Sequence, residues 1–211
     1  MISILARSVM KKALIITGGY LNTERVSASA KDFDMILAAD SGYLTAQKLN
    51  ISPDIILGDF DSAEIPCTDA EILKVPAEKD ETDTMLACTV AVERGAAELL
   101  ILGGTGGRAD HFLSNLFLLE SLCDVGISVS LSDGENTLRI LRDETTSVPN
   151  RGGYFSLFAL DTCTVTIDRC KYPLNHYTLT RTHPFAVSNE VIGEAATVTV
   201  QGKAILCESS K

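Results

Sequence analysis

The sequence predicts an α/β protein in which a Rossmann-like, mostly parallel sheet with flanking helices is followed by a smaller all-β, sandwich-like domain. Across the first two thirds of the 211 residues, short apolar runs alternate with segments of helical period. After Gly134, residues Val165, Ile167, Val198, Val200 and Ile205 alternate with polar neighbours at period two, and no helical segment follows. The composition is that of a folded domain, with 45% hydrophobic and 22% charged residues, and no apolar run approaches the length of a membrane span.

In chain order, strands are expected at residues 13–17, 35–39, 55–57, 73–75, 99–102 and 127–131, several of them ending in Gly, Asp or Ser. Helices are expected at 42–49, 82–94 and 109–122. The last carries Phe112, Leu113, Leu116, Phe117 and Leu119 as a wide apolar face suited to packing on a sheet. Residues 142–153 are polar, with Pro149, Gly152 and Gly153, and read as a loop near the domain junction. Residues 1–9 read as an extension ahead of Met10-Lys11-Lys12, residues 10–133 as the α/β domain and residues 134–211 as the β domain.

The formal net charge of -10 argues against a general nucleic-acid binder, which needs a basic face to neutralise phosphates. The six cysteines show no C-x-x-C spacing and several sit in apolar surroundings, so they read as reduced core residues and the chain as cytoplasmic. A membrane segment is not expected.

Three segments carry chemistry. Gly58-Asp59-Phe60-Asp61-Ser62 places two carboxylates directly after the apolar run 55–57. Ligands in open α/β sheets gather outside the carboxyl ends of the strands, and Mg2+ takes oxygen ligands from one or two carboxylates plus substrate phosphates. As Asp and Ser also form ordinary turns, this segment alone decides nothing. Next, Glu78-Lys79-Asp80-Glu81-Thr82-Asp83 precedes a helix, with Asp80 suited to cap it and Asp83 favoured by its dipole. Capping is compatible with holding a cation, which would relieve the repulsion among so many carboxylates.

The third segment, Gly103-Gly104-Thr105-Gly106-Gly107-Arg108-Ala109-Asp110-His111, lies between a strand and a helix. Such a loop lets backbone N–H groups approach a polyphosphate at a helix N-terminus. It is neither a Walker A loop nor the dinucleotide fingerprint. Arg108 can grip a phosphate bidentately. Asp110 can join a metal site or hold Arg108, and His111 is open between a helix-start residue and a catalytic one.

Together with Ala39-Asp40-Ser41-Gly42, and with Ser156-Leu157, Lys171-Tyr172-Pro173-Leu174 and Ser188-Asn189-Glu190 in the β region, these segments resemble the thiamine pyrophosphokinase family in order and along nearly the whole chain. The resemblance implies transfer of a pyrophosphoryl group from ATP to the thiamine hydroxyl, with Mg2+ required. It implies Asp59, Asp61, Asp80 and Asp83 at the metal, and Asp59, Asp61, Asp83 and Arg108 in catalysis, with Asp83 or Asp61 taking the proton. Asp40, Lys79, Thr82, Thr105, Gly107, Arg108, Asp110 and His111 would meet the nucleotide, and Ser188 and Asn189 the thiamine.

It further implies a homodimer whose site lies between one subunit's catalytic domain and the other's β domain. The chain departs from the pattern in having no Trp to stack on thiamine, leaving Phe185, Tyr177 or no aromatic at all, and in having Arg169-Cys170 where glycine is usual. A pyrophosphokinase for another primary alcohol, such as a hydroxymethylpterin, and a non-catalytic nucleotide or thiamine binder are the alternatives.

Overall fold

A computed structural model describes residues 11–60, 68–76 and 81–211. The extension at 1–9 and the site candidates Asp61, Lys79 and Asp80 lie outside the described residues.

Lys11–Ile16 (β1), Met35–Ala39 (β2), Ile55–Gly58 (β3), Glu71–Lys74 (β4), Ala96–Leu102 (β5) and Ser128–Ser132 (β6) form the parallel part of the sheet, close to where the apolar runs place them. Their order is β6-β5-β1-β2-β3-β4, with β1 paired in parallel to both β2 and β5. The chain therefore builds outward from β1 in one direction and returns to its other side at β5, which makes the β1–β5 boundary the switch point where loops diverge and leave a crevice.

Gly42–Lys48 (α1), Asp83–Glu93 (α2) and Ala109–Asp124 (α3) are the α-helices among the described residues. Thr82 caps α2, its hydroxyl accepting the Met85 N–H at 3.2 Å. This corrects the expected Asp80 cap, because a cap must precede the first helical residue, here Asp83. On α3 the buried stripe is Asn115, Leu118, Leu119 and Leu122, while Leu113 and Phe117 remain 49% and 64% exposed. The helix is thus rotated from the expected face, placing a polar residue, Asn115, at the sheet.

The β region is built on one ribbon. Asn136–Pro149 (β7) and Ala195–Ser209 (β11) pair antiparallel along their length, and β7 also pairs with β6, so both halves of the protein share one eleven-stranded sheet. Residues 142–149, expected as loop, are strand. Their polar character reflects a solvent-facing side, and the hydrogen bonding comes from β11, far away in sequence.

The ribbon folds sharply at a bulge between Val200 and Lys203, where the Gly202 N–H donates to Asp143 Oδ1 at 2.7 Å. Arg139 consequently reaches Thr146 Oγ1 at 2.9 Å, although seven residues of straight strand would separate them by about 23 Å. Before the bulge β11 pairs with Thr162–Asp168 (β9), and after it with Tyr154–Ala159 (β8). Leu174–Thr180 (β10) adds to β9. Inside the fold, Phe155, Leu157, Val165, Ile167, Val198 and Leu206 form a second apolar core.

Gly202 has φ of +98°, and a β carbon there would lie 3.1 Å from both Cys163 Cβ and the Thr162 carbonyl oxygen. Gly202→Ala is expected to lower unfolding free energy by about 1–2 kcal/mol or more, read from urea denaturation at constant m-value.

Candidate active site

The cleft opens where the switch point places it. It has a volume of about 440 Å3 and is lined by Thr17 to Tyr20 after β1, Ala39 to Ser41 after β2, Thr82 to Thr84 at the start of α2, Gly104, Gly106, Gly107 and Arg108 after β5, and His111 and Asn115 on α3.

Three strand exits meet here through backbone. A β carbon at Gly19 would lie 2.7 Å from the Gly104 nitrogen, one at Gly18 would strike Ser41 Oγ, and one at Gly42 would strike the Ile16 carbonyl oxygen. Two further strand-exit residues hold left-handed backbone, Asp40 at φ +50° and Phe60 at φ +53°. Non-glycine residues seldom adopt that region, and such strain collects at functional sites.

Of the expected nucleotide-binding residues, Asp40, Thr82, Gly107, Arg108 and His111 line the cleft together with Asp83. Asp59 stands immediately after Gly58, whose β carbon would lie 3.3 Å from Asp40 Cα, so the β2 and β3 exits are neighbours. Asp110 turns to Arg108, accepting its Nη2 at 2.6 Å and its Nε at 3.1 Å. Thr105 is the departure: its hydroxyl bonds to the buried Asp133 carboxylate, and it is absent from the cleft lining.

The sequence reading missed Thr17, Gly18, Gly19 and Asn115 as wall residues. Gly18-Gly19 at the first strand's exit was the available signal. Asn115 gave none, as it sits within an apolar helix. Its Nδ2 donates to the Gly104 carbonyl at 3.0 Å.

Among the described residues no three His, Cys, Asp or Glu side chains form a ready metal cage. Mg2+ does not require one, because it keeps several waters and joins protein carboxylates to substrate phosphates. Of the residues expected at the metal, Asp59 and Asp83 are described, and their oxygen donors at neighbouring strand and helix ends fit that chemistry.

A second, apolar cavity of about 210 Å3 lies in the β region between Tyr172, Leu174, Phe185, Ala186, Val187 and Asn189. Phe185 stacks on Tyr177 with centroids 5.1 Å apart. Ser188, at φ +57°, is exposed, its N–H donating to Ser156 Oγ at 3.0 Å. Asn189 is buried and holds the Tyr172 backbone from both sides, Oδ1 accepting its N–H at 3.0 Å and Nδ2 donating to its carbonyl at 2.9 Å. Arg169 adopts φ +57°, the region that favours glycine, and donates to Thr197 Oγ1 at 2.6 Å. The backbone turn thus forms without glycine.

No residue lines both this cavity and the cleft. A third cavity of about 350 Å3 is lined by Arg25 and Arg151 together with Glu135 and Glu208.

The chain matches the description "Thiamin pyrophosphokinase, catalytic domain" over residues 26–131 and "Thiamin pyrophosphokinase, vitamin B1 binding domain" over residues 135–205. It is 31% identical over 207 residues to the thiamine pyrophosphokinase of Bacillus subtilis (strain 168), covering 89% of this chain and 93% of that protein.

The chain belongs to the thiamine pyrophosphokinase family.

Solved structures agree. The Bacillus subtilis thiamine pyrophosphokinase superposes with a TM-score of 0.83 at 27% identity, over 95% of this chain and all of that one. The Geobacillus thermodenitrificans protein gives 0.80 at 28% identity, over 95% and 98%. At 14% identity the Candida albicans thiamin pyrophosphokinase shares the fold, with a TM-score of 0.77, over 96% of this chain and 90% of that one. Within the family's fold, the cleft residues from Ala39 to Asn115 fall in the segment matching the catalytic domain, with Thr17 to Tyr20 just ahead of it, and the apolar cavity falls in the segment matching the vitamin B1 binding domain.

Hydrogen bonds from Arg108, opposed by desolvation and aided by the His111 N–H, hold the Asp110 carboxyl at about 2. A folded-state value below the ordinary carboxylate range of about 3.9 favours the ionised pair above that range, and the benefit is lost as pH falls through about 2. Both side chains are well exposed, so this orients Arg108 more than it stabilises the fold. A carboxyl NMR titration should give Asp110 a midpoint near 2, returning towards about 3.9 in Arg108→Gln.

Proposed function

We propose that this protein transfers the pyrophosphoryl group of ATP to the hydroxyl of thiamine, giving thiamine diphosphate and AMP. The observation that carries this reading is the glycine-lined cleft at the switch point, flanked by carboxylates and Arg108, within a chain of the thiamine pyrophosphokinase family. The thiamine hydroxyl oxygen attacks the β-phosphorus of ATP and bonds to it. The bond from that phosphorus to the oxygen bridging to the α-phosphorus breaks, and AMP leaves with that oxygen.

The hydroxyl proton passes to Asp83 or Asp61, and Asp83 lines the cleft. Such transfers need positioning and neutralisation of oxygen charge more than covalent help. The 104–107 loop and the start of α3 are assigned to the phosphates, where Arg108 adds a bidentate cation. Asp59, Asp61, Asp80 and Asp83 are assigned to Mg2+, which when bound neutralises phosphate-oxygen charge. Asp40, Lys79, Thr82, Gly107, Asp110 and His111 are assigned to the nucleotide.

Residues 10–133 are assigned as the catalytic unit and residues 134–211 as the thiamine-binding unit. Ser188 would contact thiamine, while Asn189 would act by shaping the Tyr172 wall, with the stacked Phe185 and Tyr177 as the available aromatics. Because the cleft and the apolar cavity share no wall, we assign a homodimer in which the partner's β region completes the cleft. Exposed Tyr172, Phe185, Val187 and Ile192 support this assignment.

With thiamine, ATP and Mg2+, AMP and thiamine diphosphate should appear in equal amounts, and chelation should abolish both. Turnover of another primary alcohol without thiamine turnover, or no turnover at all, would refute the reading. Asp83→Asn should lower kcat by at least about 100-fold at unchanged thermal midpoint, as expected for loss of a general base. Sedimentation at micromolar concentration should show a dimer, and a clean monomer would remove the shared site.

A further inference from the structure

Among the described residues four polar side chains are buried: Thr17, Asn115, Asp133 and Asn189. Three of them converge on the end of β5 and the glycine loop. Thr17 Oγ1 donates to the Leu102 carbonyl at 3.1 Å and accepts the Gly19 N–H at 3.3 Å. Asn115 holds the Gly104 carbonyl, and the Asp133 carboxylate takes the Thr105 hydroxyl.

Thr105 stands alone in this loop. It is the single non-glycine residue in the run 103–107, and Gly103, Gly104 and Gly107 all have positive φ, between +83° and +97°. Such a loop has large conformational freedom when unrestrained, yet a polyphosphate cradle works only if its N–H groups are already aimed. Thr105 is the loop's own one side chain beyond glycine, and its hydroxyl is bonded to Asp133 and absent from the cleft lining.

Asp133 is built to receive it. Oδ1 accepts the N–H groups of Glu135 at 2.8 Å and Asn136 at 2.6 Å, and Oδ2 accepts Asn136 Nδ2 at 3.0 Å as well as Thr105. All four lone-pair positions of the carboxylate are filled. Burial pushes its pKa upward, but these donors outweigh it and keep the carboxyl below its ordinary value. Asp133 lies at the β6–β7 turn, where its carbonyl also accepts the Asn22 N–H at 2.8 Å. The start of the β7–β11 ribbon, the segment after β1 and the glycine loop are therefore tied to one residue.

We propose that Asp133, acting through Thr105, is a positioning residue for ATP: it fixes the phosphate-facing loop against the turn that begins the β region. This rests on the reading of the cleft as the ATP site. Thr105 accordingly serves the nucleotide through the loop backbone.

The test measures AMP release, with ATP and thiamine varied separately, and the thermal midpoint, in Thr105→Val, Thr105→Ser and Asp133→Asn. Thr105→Val keeps the shape and removes the hydroxyl, and should raise KM for ATP roughly tenfold, the size of one lost hydrogen bond to a charged group. KM for thiamine should stay at its wild-type value while the thermal midpoint falls only by the few degrees that one lost hydrogen bond costs a chain of this size, and Thr105→Ser should recover to within about twofold, since it restores that hydrogen bond. Asp133→Asn sets an amide NH2 against donors and should show the same ATP-selective defect. If it fails to fold, the Thr105 pair decides alone.

An unchanged ATP KM in Thr105→Val, equal effects on both substrates, or a Ser variant no better than Val would overturn the inference while wild-type turnover leaves the cleft reading standing. A wild-type protein that does not turn over ATP would overturn both.

Discussion

At Gly19 a β carbon would stand 2.7 Å from the Gly104 nitrogen, and at Gly104 one would stand 2.5 Å from Asn115 Nδ2. The loops leaving β1 and β5 therefore touch backbone to backbone, and the site depends on that approach. Side chains at these positions would wedge the switch point apart and turn the loop amides away from one another. With only glycine there, the crevice that the parallel order leaves between diverging loops becomes lined with N–H groups and carbonyls. In a chain with a net charge of -10, such a crevice is the local feature on which the proposed polyphosphate site rests.

A loop made of glycine needs rigidity from elsewhere, and the fold supplies it from behind. Thr17, Asn115 and Asp133 come from β1's exit, α3 and the β6–β7 turn, and each is buried. Burial raises the strength of these hydrogen bonds and the penalty for breaking them, so a few contacts can set a conformation. The rotation of α3 follows from the same demand: Asn115 occupies a sheet-facing position, while Leu113 and Phe117 remain outside. In the β region Asn189 does the equivalent for Tyr172, so the buried polar side chains support walls at both binding regions.

The β7–β11 ribbon joins these regions. Its first half continues the parallel sheet through β6, and its second half, beyond the bulge at Gly202, folds over to enclose a separate core. The apolar cavity near Ser188 is thus carried on the sheet that also begins at Asp133. Yet it shares no wall with the cleft of its own chain, which is the geometric reason a second subunit enters the functional proposal.

Much of this was legible in the amino-acid order. Apolar runs of three to five residues and helix-period segments located the parallel strands and the three described α-helices, because burial on both faces of a sheet or along one helical stripe leaves a local imprint. The acidic and glycine segments declared their chemistry by residue type. Residues 142–149 were misread because their pairing partner lies in β11, and Asn115, Asp133 and Thr17 went unseen because their partners are 11, 28 and 85 residues away.

By itself the sequence determined the strands and helices of the parallel region, the family and which groups are available. Only the tertiary structure decided which loops touch, that Thr105 faces Asp133 instead of the cleft, and that the two binding regions of one chain stay apart, since contacts between distant segments leave no periodicity for a local reading to detect.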